Sequence, residues 1–178
     1  AVRIARAYTN KDNIAVCGYH GWHDWYLALN LRSSKQMEKL LLKNLKTNGV
    51  VRSLRRTIFS FNYNDYEEAK KLIKSKNIGT IIMEVSRNFM PKNGFLKKIR
   101  LLCNKHKVVL IFDECSSGFR ETHGGLHKKF KIEPDMCVYG KALGNGYAIT
   151  AVVGKKKISE AASDNILSKI KWSNEMAC

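Results

Sequence analysis

The sequence contains little proline, few acidic residues and no long apolar run. Only 2 of the 178 residues are proline and 44% are hydrophobic, which excludes a disordered chain and indicates a globular protein with a sizeable core. No apolar run approaches the roughly 20 residues that a membrane-spanning helix needs, so we expect no membrane partner. The first residues, AVRIARAY, have the pattern of a helix rather than of a secretory signal.

Cysteine is present but does not form a disulfide pattern. The five cysteines, at positions 17, 103, 115, 137 and 178, are odd in number and include no C-x-x-C pair. Such spacing favours reduced, buried thiols over a disulfide framework. We therefore expect a cytoplasmic protein.

The shortage of acidic residues leaves a strong positive charge. The chain has 32 lysines and arginines against 15 aspartates and glutamates, a net charge of +17. Such a charge can attract nucleic acid, but the lysines are scattered in ones to threes and do not alternate with exposed aromatic residues. We expect no specific nucleic-acid partner. A non-catalytic, basic α/β module that binds nucleic acid stays open as the alternative to an enzyme.

Short apolar runs alternate with segments of helical periodicity. The apolar runs predict strands at residues 14–18, 78–85, 108–112, 136–139 and 148–154. Helical spacing and capping residues predict helices at 1–8, 35–45, 64–75, 94–107 and 157–163. This order predicts an α/β fold with a mostly parallel sheet flanked by helices. No linker divides the chain, so we expect a single domain.

Three reactive or charged side chains follow predicted strands. Glu84 ends the run IGTIIMEV, Asp113 ends VLIFD, and Lys141 follows CVYG. Ligands of parallel α/β sheets bind at the carboxyl ends of strands, so we expect these side chains to share a site. An amine and a carboxylate are what pyridoxal-phosphate chemistry requires. The amine binds the cofactor aldehyde, and the acid keeps the pyridine nitrogen protonated.

Four motifs then follow one another in a characteristic order. They are AVRIARAYTNKDNIAVCGYHGWHD, IIMEV, IFDECSSGFR and PDMCVYGKALGNG. In this order they resemble the central part of a class III aminotransferase, a fold type I pyridoxal-phosphate family that includes glutamate-1-semialdehyde aminomutase. The resemblance implies that residues 1–178 are the central part of the large cofactor domain. The phosphate-binding loop and the small C-terminal domain are then expected in a longer protein, as is an initiator methionine.

The resemblance implies roles for residues around the cofactor ring. Lys141 is the catalytic lysine that binds the cofactor and moves protons, and Asp113 pairs with the pyridine nitrogen. Tyr19 stacks on the ring, and His20 shapes the turn beside it. Cys115 stands where the family usually has Val or Ile against the ring, so we expect packing rather than reactivity.

The roles of nearby charged residues are more open. Glu84 matches a family glutamate on the substrate side of the cofactor, but Val85 replaces the proline that usually follows it. A buried carboxylate held by backbone amides is an equal alternative. Glu114 is expected to be a structural hydrogen-bond acceptor. Arg120 is expected to be structural rather than a ligand of a substrate carboxylate.

Two histidine pairs raise the question of a metal site. His20 and His23 form one pair, and His123 and His127 form the other. Glycines between the second pair disfavour a helix, and no third ligand is suitably spaced. We expect no metal.

The implied function is that of a pyridoxal-phosphate-dependent transaminase, which moves an amino group between an amine or amino acid and a carbonyl acceptor. Intramolecular transfer, as in glutamate-1-semialdehyde 2,1-aminomutase, stays open because the residues that decide between the two are expected outside the chain. The resemblance also implies a homodimer whose sites use residues of both subunits. We expect the isolated segment to bind the cofactor weakly or not at all.

Overall fold

The computed structural model describes residues 1–32, 45–86 and 88–162. The described helices are α1 (Val2–Thr9), α2 (Asp24–Leu27), α3 (Tyr66–Ser75), α4 (Phe95–His106) and α5 (Lys156–Ala162). The strands are β1 (Ile14–Cys17), β2 (Ile58–Ser60), β3 (Thr80–Glu84), β4 (Val109–Asp113), β5 (Met136–Tyr139) and β6 (Ala151–Gly154). Among these helices, none has the length and apolarity that crossing a membrane requires.

The strands of the described residues form one sheet in the order β2-β1-β3-β4-β5-β6. Strands β1 to β5 are parallel to their neighbours, and β6 pairs antiparallel with β5. The predicted α/β fold with a mostly parallel sheet is confirmed.

Successive residues of the central strands are buried on opposite faces of the sheet. In β3, Ile81 and Met83 pack in the apolar cluster that includes residues of α3 and α4. Ile82, between them, packs in a second cluster with Val2 of α1 and Ile158 of α5. Because side chains alternate along a strand and helices cover both faces, every position of β3 is buried.

Most helix and strand predictions agree with the structure to within about two residues. Asp65 caps α3, since its side chain accepts a hydrogen bond from the Glu68 N–H at 2.8 Å. The strand predicted from residue 148 begins only at Ala151, where pairing with Tyr139 starts. The edge strand β2 was not predicted, because three residues are too few to show a periodicity. Residues 35–44 of a predicted helix lie outside the described residues.

Candidate active site

The carboxyl ends of four parallel strands, β1, β3, β4 and β5, meet at one edge of the sheet. Glu84 and Asp113 are the last residues of β3 and β4 and stand opposite each other in the register. Lys141 begins a 3-10 turn just after β5 ends at Tyr139. The structure thus brings the three predicted side chains to the same edge.

Asp113 is held through both oxygens of its carboxylate. Oδ2 lies 2.8 Å from Nδ1 of His20, and Oδ1 accepts the Cys115 N–H at 3.1 Å. The Asp113 side chain is 14% exposed. A carboxylate that is fixed in place but still accessible can form a charge-assisted hydrogen bond with a cationic ligand.

His20 connects the loop after β1 to the end of β4. Its Nε2 lies 3.1 Å from the Cys17 carbonyl oxygen, and its ring stacks on Trp25 with 6.4 Å between centroids. Both polar partners of the ring are acceptors, so His20 donates to Cys17 and Asp113 together only when both ring nitrogens carry protons. This contact adds an orienting role to the turn-shaping role that the sequence predicted.

Tyr19 and Glu84 are joined across the start of the same loop. The Tyr19 N–H donates to Glu84 Oε2 at 3.2 Å. Gly18 has a φ of 104°, and a Cβ on it would lie 2.5 Å from Glu84 Oε2, so only glycine permits this approach. Glu84 is buried and bound to a backbone amide, which is one of its two predicted alternatives. The half-buried Tyr19 ring meets Tyr26 edge-on, and its stacking on a cofactor stays a prediction.

Lys141 is exposed and has an unusual backbone conformation. Its φ is 47°, in the left-handed region that residues other than glycine adopt uncommonly and that recurs at functional sites. Its Nζ donates to Ser116 Oγ at 2.6 Å. A Cβ on the preceding Gly140 would lie 2.9 Å from Cys115 Sγ. The absence of a side chain at residue 140 therefore lets the end of β5 approach the loop after β4.

Cys115 is influenced by the charges of both the acid and the lysine. Burial raises the pKa of its thiol, the negative charge of Asp113 raises it further, and the positive charge of Lys141 lowers it. The pKa is raised overall, so the thiol is neutral at neutral pH. This favours the predicted packing role over a reactive one.

Glu114 is fully buried and joins the two ends of the following loop. Its carboxylate accepts hydrogen bonds from Ser117 Oγ at 2.5 Å, from the Leu126 and His127 N–H groups at 3.0 Å each, and contacts His127 Nδ1 at 2.8 Å. These contacts close residues 115–125 into a loop that is held at both ends by the Glu114 carboxylate. Glu114 has the structural acceptor role that the sequence predicted.

Glu114 and His127 form a buried pair of opposite charges. Burial would raise the pKa of Glu114, but hydrogen bonds from His127, Ser117 and the backbone lower it below its ordinary value. Burial would lower the pKa of His127, but contacts with Cys137 Sγ at 3.7 Å and with the closer Glu114 carboxylate raise it to about 9. His127 is therefore protonated at neutral pH, a state in which imidazole does not ligate metal.

Two further sequence predictions concern Arg120 and metal binding. Arg120 Nε donates to the Ser116 carbonyl oxygen at 2.6 Å, a contact that supports a structural role. Within residues 1–32, 45–86 and 88–162, no three His, Cys, Asp or Glu side chains are grouped to hold a metal ion.

Three contacts of the site were not predicted from the sequence. They are His20 with Asp113, Ser116 with Lys141, and Glu114 with His127. The first joins residues 93 positions apart, across the intervening strand β3. No spacing rule reveals such pairs, although the shared strand edge indicates the neighbourhood in which they lie.

The residues at this edge suit pyridoxal phosphate. Lys141 provides an exposed amine for the aldehyde, Asp113 an accessible carboxylate for the ring nitrogen, and Tyr19 a flat ring for stacking. Gly18 and Gly140 let the loops that carry these groups approach each other closely.

Comparison with known families agrees with this site. The sequence profile described as Aminotransferase class-III matches residues 1–169. The chain belongs to the class III aminotransferase family. The resemblance inferred from the four motifs is thereby confirmed, and class III aminotransferases are pyridoxal-phosphate-dependent enzymes.

Curated relatives in this family have two kinds of activity. The 3-aminobutyryl-CoA aminotransferase of Cloacimonas acidaminovorans is 37% identical over 174 residues, which cover 93% of this chain and 38% of the relative. The glutamate-1-semialdehyde 2,1-aminomutase of Sulfolobus acidocaldarius is 39% identical over 164 residues, covering 89% of this chain and 38% of the relative. The chain thus spans about 38% of the length of these relatives.

Solved structures confirm the fold. The FumI protein of Sphingopyxis sp. MTA144, solved with pyridoxal phosphate, has a TM-score of 0.73 at 24% identity, covering 90% of this chain and 37% of that one. A glutamate-1-semialdehyde aminomutase from Pseudomonas aeruginosa PAO1, in complex with PMP, has a TM-score of 0.72 at 19% identity, covering 99% and 38%. The predicted fold, that of the large domain of fold type I enzymes, is confirmed.

The buried pair of Glu114 and His127 predicts a pH-dependent stability. A histidine whose pKa is raised from 6.5 to about 9 on folding contributes fully below pH 6.5, and its contribution is lost as the pH rises through 9. We expect His127→Gln to lower the free energy of unfolding by about 1–3 kcal/mol at pH 6.5. The wild-type free energy of unfolding should decline between pH 6.5 and 9, and the variant should lack this decline. Urea unfolding of the full-length protein, followed by tryptophan fluorescence, measures both effects.

The exposed His123 lies in the same loop and provides the control. His123→Gln should keep the wild-type pH dependence. If His127→Gln kept it as well, the charged pair would not be the cause.

Proposed function

We propose that the protein containing this chain is a pyridoxal-phosphate-dependent transaminase that moves an amino group between an amine or amino acid and a carbonyl acceptor. The observation that carries the proposal is the placement of Lys141 and Asp113 at one edge of a parallel sheet, in a chain of the class III family. Family membership also favours an enzyme over the nucleic-acid-binding module considered from the charge.

Each predicted site residue has a distinct part in this proposal. When bound, the cofactor supplies an aldehyde for amino groups and a ring that withdraws electrons. Lys141 Nζ would hold the cofactor through its aldehyde and, when free, would hold the proton taken from the substrate carbon. Asp113 pairs with the ring nitrogen and is oriented by His20.

The remaining predicted residues shape the walls of the site. The Tyr19 ring would stack on the cofactor ring, and Glu84 holds the Tyr19 backbone in place. Cys115 packs beside the ring, where its raised pKa keeps the thiol neutral. These contacts position the ring without contributing a further reactive group.

Intramolecular amino transfer is the second candidate. The aminomutase of Sulfolobus acidocaldarius is as similar to this chain as the aminotransferase relative is, at 39% and 37% identity. Lys141 and Asp113 serve both reactions in the same way. Mass analysis of the products separates them, because a transaminase leaves a carbonyl product from the amino donor and an aminated acceptor, whereas an aminomutase converts a single substrate into its isomer without a separate acceptor.

Exposed apolar residues near the site support a homodimer, which we also propose. Tyr147 is 81% exposed and Ile149 50% in the segment after Lys141, and Trp22 is 65% exposed in the loop after β1. Large apolar side chains exposed in these two segments are candidates for burial between subunits. Trp25, in the same loop as Trp22, is half-buried against His20. We further propose that residues 1–178 are the central part of the large cofactor domain of a cytoplasmic enzyme, which fits the unpaired cysteines of the described residues.

Replacing Lys141 tests the proposed function directly. Full-length wild-type protein should develop visible absorbance on binding pyridoxal phosphate and should transfer amino groups. Lys141→Ala should lose the absorbance and at least ~10²-fold of the transfer rate, because a positioned acid–base group contributes at least that much. Lys98→Ala, on the exposed side of α4, is the control and should match wild type. Retained absorbance and transfer in Lys141→Ala would show that another group binds the cofactor.

Replacing Asp113 tests the partner of the ring nitrogen. Asp113→Asn should still bind the cofactor, because the side chain keeps its shape, but should slow proton transfer by at least ~10²-fold through loss of the negative charge. Single-turnover absorbance kinetics measure the effect. The exposed Asp12→Asn is the matched control. Equal rates in Asp113→Asn and wild type would exclude Asp113 from this role.

Light scattering tests the assembly. The full-length protein should have twice the mass of one chain, and changing Tyr147 and Ile149 to Ser should shift it towards monomer with loss of activity. A fully active monomer would contradict a site that uses residues of both subunits.

A further inference from the structure

The amine of Lys141 has a specific protein partner. Its Nζ donates to Ser116 Oγ at 2.6 Å, although the lysine is exposed and belongs to a strand end 25 residues further along the chain. A long exposed side chain has many rotamers of similar energy, so a defined contact at this distance restricts it to few of them.

Ser116 is itself held from two directions. Its carbonyl oxygen accepts the Arg120 Nε–H at 2.6 Å, which closes one turn of the loop. The preceding residue, Cys115, donates its N–H to Asp113 Oδ1 at 3.1 Å. These contacts fix the backbone that carries the Ser116 hydroxyl relative to the carboxylate of Asp113.

Buried contacts anchor the loop that carries Ser116. Glu114 binds Ser117 Oγ within the loop and the N–H groups of Leu126 and His127 at its far end. The Glu114 carboxylate is fully buried, so these bonds are shielded from water. Ser116 thus lies on a loop whose conformation is held by the Glu114 hydrogen bonds.

We propose that Ser116 is the positioning residue for the free amine of Lys141. Its hydroxyl accepts an N–H from the charged amine, and it can donate its own O–H to the lone pair of the neutral amine. The amine is thereby kept near Asp113 and Cys115 whenever it carries no cofactor. This inference rests on the proposed function in one respect, that Lys141 is the lysine that binds the cofactor.

Competitive labelling of the cofactor-free, full-length protein with trace acetic anhydride tests the inference without any activity measurement. Mass spectrometry gives the acetylation of Lys141 relative to the exposed Lys98 in the same molecules. Ser116→Ala should raise this ratio about two- to tenfold at neutral pH, the range that corresponds to one hydrogen bond of typical net strength. Ser116→Thr keeps the hydroxyl and should restore the ratio to within about twofold of wild type.

Ser117→Ala is the matched control, because Ser117 lies in the same loop and binds Glu114 instead of Lys141. An unchanged ratio in Ser117→Ala supports the inference, and a rise equal to that of Ser116→Ala assigns the effect to the loop and overturns it. An unchanged or lower ratio in Ser116→Ala also overturns it, and Ser116→Gly provides the same test if the alanine variant does not fold. Wild-type protein that develops no visible absorbance with pyridoxal phosphate would instead refute the proposed function, while the labelling ratios still report on the contact.

Discussion

Parallel pairing of β1, β3, β4 and β5 is the constraint on which the site depends. Because parallel strands all end at the same edge of the sheet, residues that are far apart in the chain meet at that edge. The register places Glu84 opposite Asp113. The antiparallel strand β6 pairs with the side of β5 that faces away from β4. A shift of one residue in β4 would turn Asp113 to the opposite face of the sheet.

The loop after β4 stabilises a buried carboxylate, that of Glu114, next to the site. Glu114 is the residue after Asp113, and the alternation of side chains directs it into the protein. A buried charge is costly unless it is paired and hydrogen-bonded. His127 and two backbone N–H groups meet that requirement, and in doing so they fix the loop that carries Ser116. Structural and site residues thus lie next to each other along a single segment.

Sequence reasoning predicted the sheet and the strand-end residues because both depend on local patterns. Apolar runs in β3 and β4 are buried along nearly their whole length, so their hydrophobicity is continuous and their ends are sharp. Motif order then connected Lys141 and Asp113 with a family. The orienting contact of His20 with Asp113 could not be predicted in this way, because it depends on the path of a loop over β3. The short β2 likewise owes its strand conformation to pairing with β1 rather than to its own pattern.

The proposed function depends on Lys141 being the lysine that binds the cofactor. The most direct measurement is borohydride reduction of full-length wild-type protein loaded with pyridoxal phosphate, followed by peptide mapping. We predict one phosphopyridoxyl group per chain, attached to Nζ of Lys141 in the peptide that contains VYGKALGNG. Attachment to a different lysine, or no attachment at all, would contradict the account.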